Sequence, residues 1–397
     1  MRIAKYTTGR SRKGFTLVEL LVAAALSILI MFVIATAFQS GLQTLSTLKS
    51  LGDMAERLKT AETLLRTDLE AEHFATGATE DSPAVMQLSD LKFNQLSIGG
   101  IEARPPTRGY FRIENDRVGN ALPPIWEGQD PDLLASTRAT NHSFSMTVHR
   151  KSRSPEQLFS AELLAADAVL VRPSFNVSDV VTSSNAIVTD WAQVDWFLDT
   201  NRPAVLNGVT TYPLVRRVRL LTGRDLSAPI TVSADASEQL SCNAAFQVNT
   251  LTSVTNPVNR AASQSIPNTS ATRYGDDIVI TNVLSFEVKP TWQGPTAALS
   301  PQATEMMIDP LVSPTALQAH ANTDYPFGML PAVTENTHPA IIGRRIFDSY
   351  GSFGTWNMPN TLTSVPLRIR VIAVQIKIRV YDSKNKMSRQ TTMVVKL

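Results

Sequence analysis

Apolar residues are distributed along the chain in three textures. From Leu20 to Phe38 no position is charged, and Phe15, Leu17 and Val18 extend the apolar run toward the amino terminus. About 20 such residues suffice for a membrane-spanning helix. The run then becomes a stripe. Leu42, Leu45, Leu48, Leu51, Ala55, Leu58, Leu65 and Leu69 recur at steps of three, four or seven, with Lys49, Asp53, Glu56, Arg57, Lys59, Glu62 and Arg66 between them. That is the spacing of an amphipathic helix. The pattern predicts one helix from Phe15 to about Phe74, its first half suited to lipid and its second to a protein core. Gly41 and Gly52 are weak points within it, and Gly77 and Pro83 are expected to end it.

From residue 84 onward short β-type runs alternate with turn residues. They include "YFRIEND" (Tyr110–Asp116), "SFSMTVHR" (Ser143–Arg150), "AVLVRP" (Ala168–Pro173) and "DIVITNVLSFEVKP" (Asp277–Pro290). "VDWFLD" (Val194–Asp199) and "TTYPLVRRVRLLTG" (Thr210–Gly223) read as a hairpin linked through Thr200–Val209. A second hairpin closes the chain. Ile372, Val374, Ile376, Ile378 and Val380 share one face and Ala373, Gln375, Lys377, Arg379 and Tyr381 the other, before "SKNKM" turns into "SRQTTMVVKL". Such alternation predicts an antiparallel sheet with one covered face. Residues 227–275 and 292–366 are rich in Ser, Thr, Asn, Ala or Pro, and read as long loops or insertions. The fold class expected is α+β, a long amino-terminal helix on an antiparallel sheet body.

Composition fits a globular body with one membrane segment: 397 residues, 43% hydrophobic and 18% charged, net charge +2. The basic excess is local, since Arg2, Lys5, Arg10, Arg12 and Lys13 precede the apolar run with no acid among them. By the positive-inside rule that flank stays in the cytoplasm and the remainder is exported. The only cysteine, Cys242, permits no intrachain disulfide, and a buried small residue is the simplest reading of it.

One residue does not fit a plain anchor. Glu19 sits near the start of the apolar run, where a carboxylate is expensive unless it has a partner. A secretory signal peptide with Ala23–Ala25 as its cleavage site would leave a short apolar core interrupted by Glu19, with strong hydrophobicity continuing beyond it. A plain signal anchor explains neither Gly14 nor Glu19. The stretch "GFTLVELLVA" (Gly14–Ala23) resembles the class III signal of type IV pilins and type II secretion pseudopilins. The resemblance implies that a prepilin peptidase cuts between Gly14 and Phe15 and methylates the new terminus at Phe15. It further implies that Glu19 neutralises the amino terminus of a neighbouring subunit during assembly.

Looser patterns bear on the subtype. "AERLKTAETLLRTDLEAEHF" (Ala55–Phe74), "VDWFL" (Val194–Leu198), "LVRRV" (Leu214–Val218) and the closing strands resemble J-type minor pseudopilins and W-type minor pilins. The domain organisation expected is a leader over 1–14, a transmembrane and filament-core helix over 15–38, its amphipathic continuation over 39–76, and an exported β-rich body over 77–397. The function expected is a minor filament subunit, at the inner membrane and then in a pilus or pseudopilus. Its implied partners are the prepilin peptidase, other pilin subunits, the assembly platform and membrane lipid. Two other classes stay open: a filament-tip adhesin or DNA-binding minor pilin, and a membrane-tethered exported enzyme.

Other candidate chemistry is sparse. His73, His142, His149, His320 and His338 lack metal-ligand spacing, and no nucleotide-binding loop or nucleophile elbow occurs, so no cofactor is expected. Asp276 and Asp277 could join a calcium site, although adjacent acids more often sit in water at a strand start. Arg216, Arg217, Arg219 and Arg224, with Arg368, Arg370, Lys377 and Arg379, could bind phosphates if they shared a surface. The outer face of a sheet is the plainer reading of both groups, and nucleic acid is not expected as a partner. Trp191, Trp196 and Trp292 read as core residues.

Overall fold

The computed structural model describes residues 16–76, 84–88, 108–115, 125–129, 135–140, 142–152, 154, 157–175, 185–256, 259–260, 275–293, 345–349 and 370–396. The chain divides into two compact units, Met1–Ala55 and Glu56–Leu397. In the first unit the described residues belong to helix α1 (Leu17–Leu69), which runs on into the second. Its large apolar side chains from Leu17 to Leu48 are exposed.

The second unit holds the rest of α1 and, in chain order, β1 (Phe74–Thr76), β2 (Ala84–Met86), β3 (Phe111–Asn115), β4 (Ile125–Gln129), β5 (Ala135–Arg138), β6 (His142–His149) and β7 (Phe159–Glu162). Helix α2 (Ala165–Phe175), β8 (Ala186–Thr189), β9 (Trp191–Leu198), β10 (Ala204–Leu206) and β11 (Val209–Leu221) follow. Then come β12 (Asp276–Gln293), β13 (Arg345–Asp348), β14 (Arg370–Asp382) and β15 (Met387–Lys396). Among the described residues nine strands form one antiparallel sheet, in the order β13-β3-β6-β9-β11-β12-β14-β15 with β10 joined to β11. The fold is α+β, a long amino-terminal helix with a large curled antiparallel sheet.

Leu58, Ala61, Leu65 and Leu69, at steps of three and four on α1, are all buried. Each buried leucine contributes roughly 1.5–3 kcal/mol. Within the sheet Phe144 stacks on Trp196 and on Phe286, with centroids 6.3 and 6.1 Å apart, so side chains of β6, β9 and β12 meet in one core. The curl is helped by irregularities. The pairing of β11 with β12 shifts between Tyr212 and Leu214, at Pro213, which has no N–H to give to a ladder. That shift also spans Asn282, which has φ 62°, and a second falls between Leu214 and Val215, opposite Ile280 and Ile278.

Several sequence expectations change. Helix α1 ends at Leu69, and Phe74 lies in β1, paired with Met86. The stop is made by contacts rather than by glycine: His73 Nε2 lies 3.1 Å from the Leu69 carbonyl and the Gln87 amide donates to the Glu70 carbonyl. Gly77 and Pro83 lie outside the described residues. "AVLVRP" is helical, within α2, because Asp167, Ala168, Val171 and Phe175 are buried at helical spacing. The Val194–Gly223 hairpin is more elaborate than expected. Asn207 and Gly208, with φ 51° and 81°, form the two-residue turn that suits a hairpin, and that turn joins β11 to β10. Strand β9 pairs with the later part of β11. The closing hairpin is as expected, β14 with β15.

Residues 227–256 carry no long strand, yet they pack closely. Ser241 N–H donates to the Leu220 carbonyl at 2.9 Å and Leu251 N–H to the Thr222 carbonyl at 3.0 Å, and Val232, Leu240, Val248, Leu251 and Val254 are buried. This segment runs along the end of β11 as a covering layer. The described part of 292–366 is the end of β12 and β13.

Candidate functional site

The start of α1 is built by its own sequence. Thr16 is the cap: its hydroxyl accepts from the Glu19 N–H at 3.3 Å, and the Glu19 carboxylate accepts from the Thr16 N–H at 3.0 Å and the Thr16 hydroxyl at 3.1 Å. This reciprocal capping box satisfies donors that helix geometry leaves open. It also answers part of the question Glu19 raised, since the carboxylate has a partner within its own chain. The Thr-x-x-Glu spacing was visible in the sequence and its capping role was missed. Farther along, Ser27 and Thr36 hydroxyls donate to the Ala23 and Phe32 carbonyls, so the run exposes few free polar hydrogens. Helix α1 is long and apolar enough to cross a membrane. Gly14 and Phe15 lie outside the described residues.

The other end of α1 is pinned by a buried polar contact. Asp68 accepts from Arg216 Nε at 2.7 Å and Nη2 at 2.8 Å, and from Trp196 Nε1 at 2.8 Å. The three residues come from α1, β11 and β9, where Arg216 and Trp196 are register partners. Burial opposes the charge on Arg216, but the Asp68 bonds outweigh it and raise its pKa. Three of the four patterns that resemble the minor subunits, Ala55–Phe74, Val194–Leu198 and Leu214–Val218, each contribute one residue to this contact. Sequence could supply the segments but not their meeting, because 128 and 148 residues separate the partners.

The opposite face of the sheet is polar and also covered. Gln193, Asp195, Arg217 and Arg219 are buried there, with Arg217 opposite Asp195 and Arg219 opposite Gln193. Ser241 of the covering layer donates to Gln193 Oε1 at 2.7 Å. Burial raises the Asp195 pKa against the pull of Arg219 and Arg217, and burial together with Arg217 lowers that of Arg219. The expectation of one covered face is therefore corrected for β9, β11 and β14, where Gln375 and Lys377 are buried and Lys377 Nζ lies 3.5 Å from Glu287 Oε2.

Burial takes Arg216, Arg217, Arg219 and Lys377 out of any phosphate-binding surface, while Arg224 is exposed. Arg216 and Arg217 point to opposite faces, one held by Asp68 and the other by Asp276. Arg368 and the Arg370 side chain lie outside the described residues. Asp276 is buried against Arg217 and Asp277 is exposed beside Arg216, so the pair does not present two free carboxylates to calcium. No group of three or more His, Cys, Asp or Glu suited to a metal ion occurs among the described residues.

His142 Nδ1 accepts from the Val288 N–H at 3.1 Å, and burial lowers the pKa of His73. His149 stands between two carboxylates. His320 and His338 lie outside the described residues. Cys242 is buried, and burial pushes its thiol up to about 12, which suits an inert residue. Trp191 and Trp196 are core residues, and the Trp292 side chain lies outside the described set.

The family described as the prokaryotic N-terminal methylation motif matches residues 9–35. Neither the curated proteins nor the solved structures gave a match. The matched segment covers Arg10, Arg12 and Lys13 of the basic flank, Gly14, Phe15, the capping box and most of the apolar run. It supports a type IV pilin-like prepilin signal, and with it a membrane-anchored, prepilin-processed chain of pilin or pseudopilin type.

Proposed function

We propose that this chain is a minor pilin or pseudopilin subunit, cut after Gly14 by a prepilin peptidase, methylated on Phe15, and assembled into or at the tip of a filament. The observation that carries the reading is the methylation motif over residues 9–35, leading directly into a capped 53-residue helix whose first half is apolar and exposed. An exposed apolar helix needs lipid or other helices around it, and a filament core offers the second. Residues 15–38 would serve as that membrane and filament segment, and residues 77–397 as the exported body. The chain acts as a structural subunit. Its partners are the peptidase, the assembly platform, membrane lipid and the helices of neighbouring subunits.

Glu19 then has two roles in sequence. In the free chain its carboxylate closes the capping box with Thr16. In the filament the same carboxylate turns to the methylated amino terminus of a neighbour, a stronger, charge-assisted partner in an apolar setting. The Glu19→Ala variant tests this in cells that assemble the filament. Cleavage of the leader continues while incorporation into filaments is lost; normal incorporation of the variant would overturn the role given to Glu19.

A further inference from the structure

His149, the last residue of β6, lies between two acids from different parts of the body. Its Nδ1 is 2.7 Å from Glu72 Oε2, and its Nε2 is 3.3 Å from Asp190 Oδ2. Glu72 belongs to the segment leaving α1, and Asp190 to the corner between β8 and β9. The backbone makes the same junction, since His149 N–H donates to the Glu72 carbonyl and Arg150 N–H to the Asp190 carbonyl, each at 2.9 Å. The ring stacks on Trp191 with centroids 4.6 Å apart, which fixes its plane. Ionised carboxylates only accept, so both bonds form only when both ring nitrogens carry hydrogen, in the imidazolium.

We propose that His149 is a proton-operated latch, which when charged ties the segment leaving α1 to the β8–β9 corner and when neutral releases one of the two. The charged groups facing it are Glu72, Asp190 and, through Glu72 Oε1 at 3.2 Å, Lys151 of the loop after β6. Lys151 is exposed and keeps Glu72 ionised when His149 loses its charge, so the latch opens at the imidazole. Burial opposes the charge on His149, yet the bonds to Asp190 and Glu72 outweigh it and raise its pKa above the ordinary value. For Glu72 burial pushes upward, and His149 and Lys151 together bring the value below the usual range.

A raised folded-state pKa fixes the sign. The contribution of His149 is complete below its unfolded value of about 6.5 and is lost as pH rises through the folded value. His73 has the opposite sign, because burial lowers its pKa and disfavours the folded state in acid. A variant that removes His149 alone therefore separates the two.

The test is the melting temperature of the full chain in detergent micelles from about pH 5 to 9, with the imidazole nitrogens of His149 followed by nitrogen-15 NMR over the same range. The wild type is expected to lose melting temperature as the His149 signal titrates, and His149→Gln to lack that step. Asp190→Asn should move the step to lower pH by about one unit, the shift one close carboxylate imposes. Parallel curves for wild type and His149→Gln, or a neutral His149 throughout, would overturn the latch. Should His149→Gln fail to fold, Asp190→Asn decides alone: an unmoved step overturns it and a lowered one supports it.

Discussion

Leucines near the two ends of helix α1 meet opposite fates. Leu20, Leu21 and Leu29 are more than half exposed, whereas Leu58, Leu65 and Leu69 are at most 4% exposed. In the first part apolar residues occur all round the helix, with no polar stripe to turn toward water. In the second, charged residues such as Glu62 and Arg66 occupy one side and pair with each other, leaving one apolar side for the sheet. Hydrophobicity alone thus does not say where a helix is buried. The arrangement of its polar positions does, together with a single buried carboxylate, Asp68, that fixes where on the sheet the second part rests.

That contrast can be broken in graded steps. Asp68→Ala should have the largest effect, lowering the stability of the body by about 3–5 kcal/mol, because it strands the Arg216 charge and the Trp196 N–H in a buried site. Denaturant unfolding followed by tryptophan fluorescence measures it. Leu65→Ala removes a fully buried side chain and should lower stability by about 2–5 kcal/mol in the same assay. Leu29→Ala, a similar truncation in the exposed part, should leave the body's unfolding within about 0.5 kcal/mol of wild type. Thr16→Val should act most locally, fraying the start of α1 in hydrogen exchange while the body's unfolding stays unchanged. Equal losses for Leu65→Ala and Leu29→Ala would abolish the distinction between the two parts.

Much of this architecture was legible in the sequence because it rests on local periodicity. Leu58, Leu65 and Leu69 are buried as the stripe predicts, although Leu42, Leu45 and Leu48 of the same stripe are exposed. Val374, Ile376 and Ile378 are buried as the alternation predicts, although Gln375 and Lys377 on the other face are buried too. What local pattern could not supply was tertiary context. "AVLVRP" has strand-like composition and became helical, since burial of Ala168, Val171 and Phe175 decided it. Arg216 and Arg217 are neighbours in the chain and read as one basic cluster. In a strand they face opposite ways, and each meets an acid from another element. The segment 227–275, polar and turn-rich, read as a loop, but polar atoms of its described part bond to the sheet's own polar face, so low hydrophobicity did not mean exposure. At the amino terminus Glu19 stood out because a charge in an apolar run requires an explanation, and Gly14 and Phe15 through the resemblance to the prepilin signal.

Processing at that terminus underlies the proposed role of the chain, and mass spectrometry of the chain purified from cells with an active prepilin peptidase tests it most directly. A mature chain beginning at N-methylated Phe15 is the expected result. A chain beginning at Met1 or at Leu26 would contradict it.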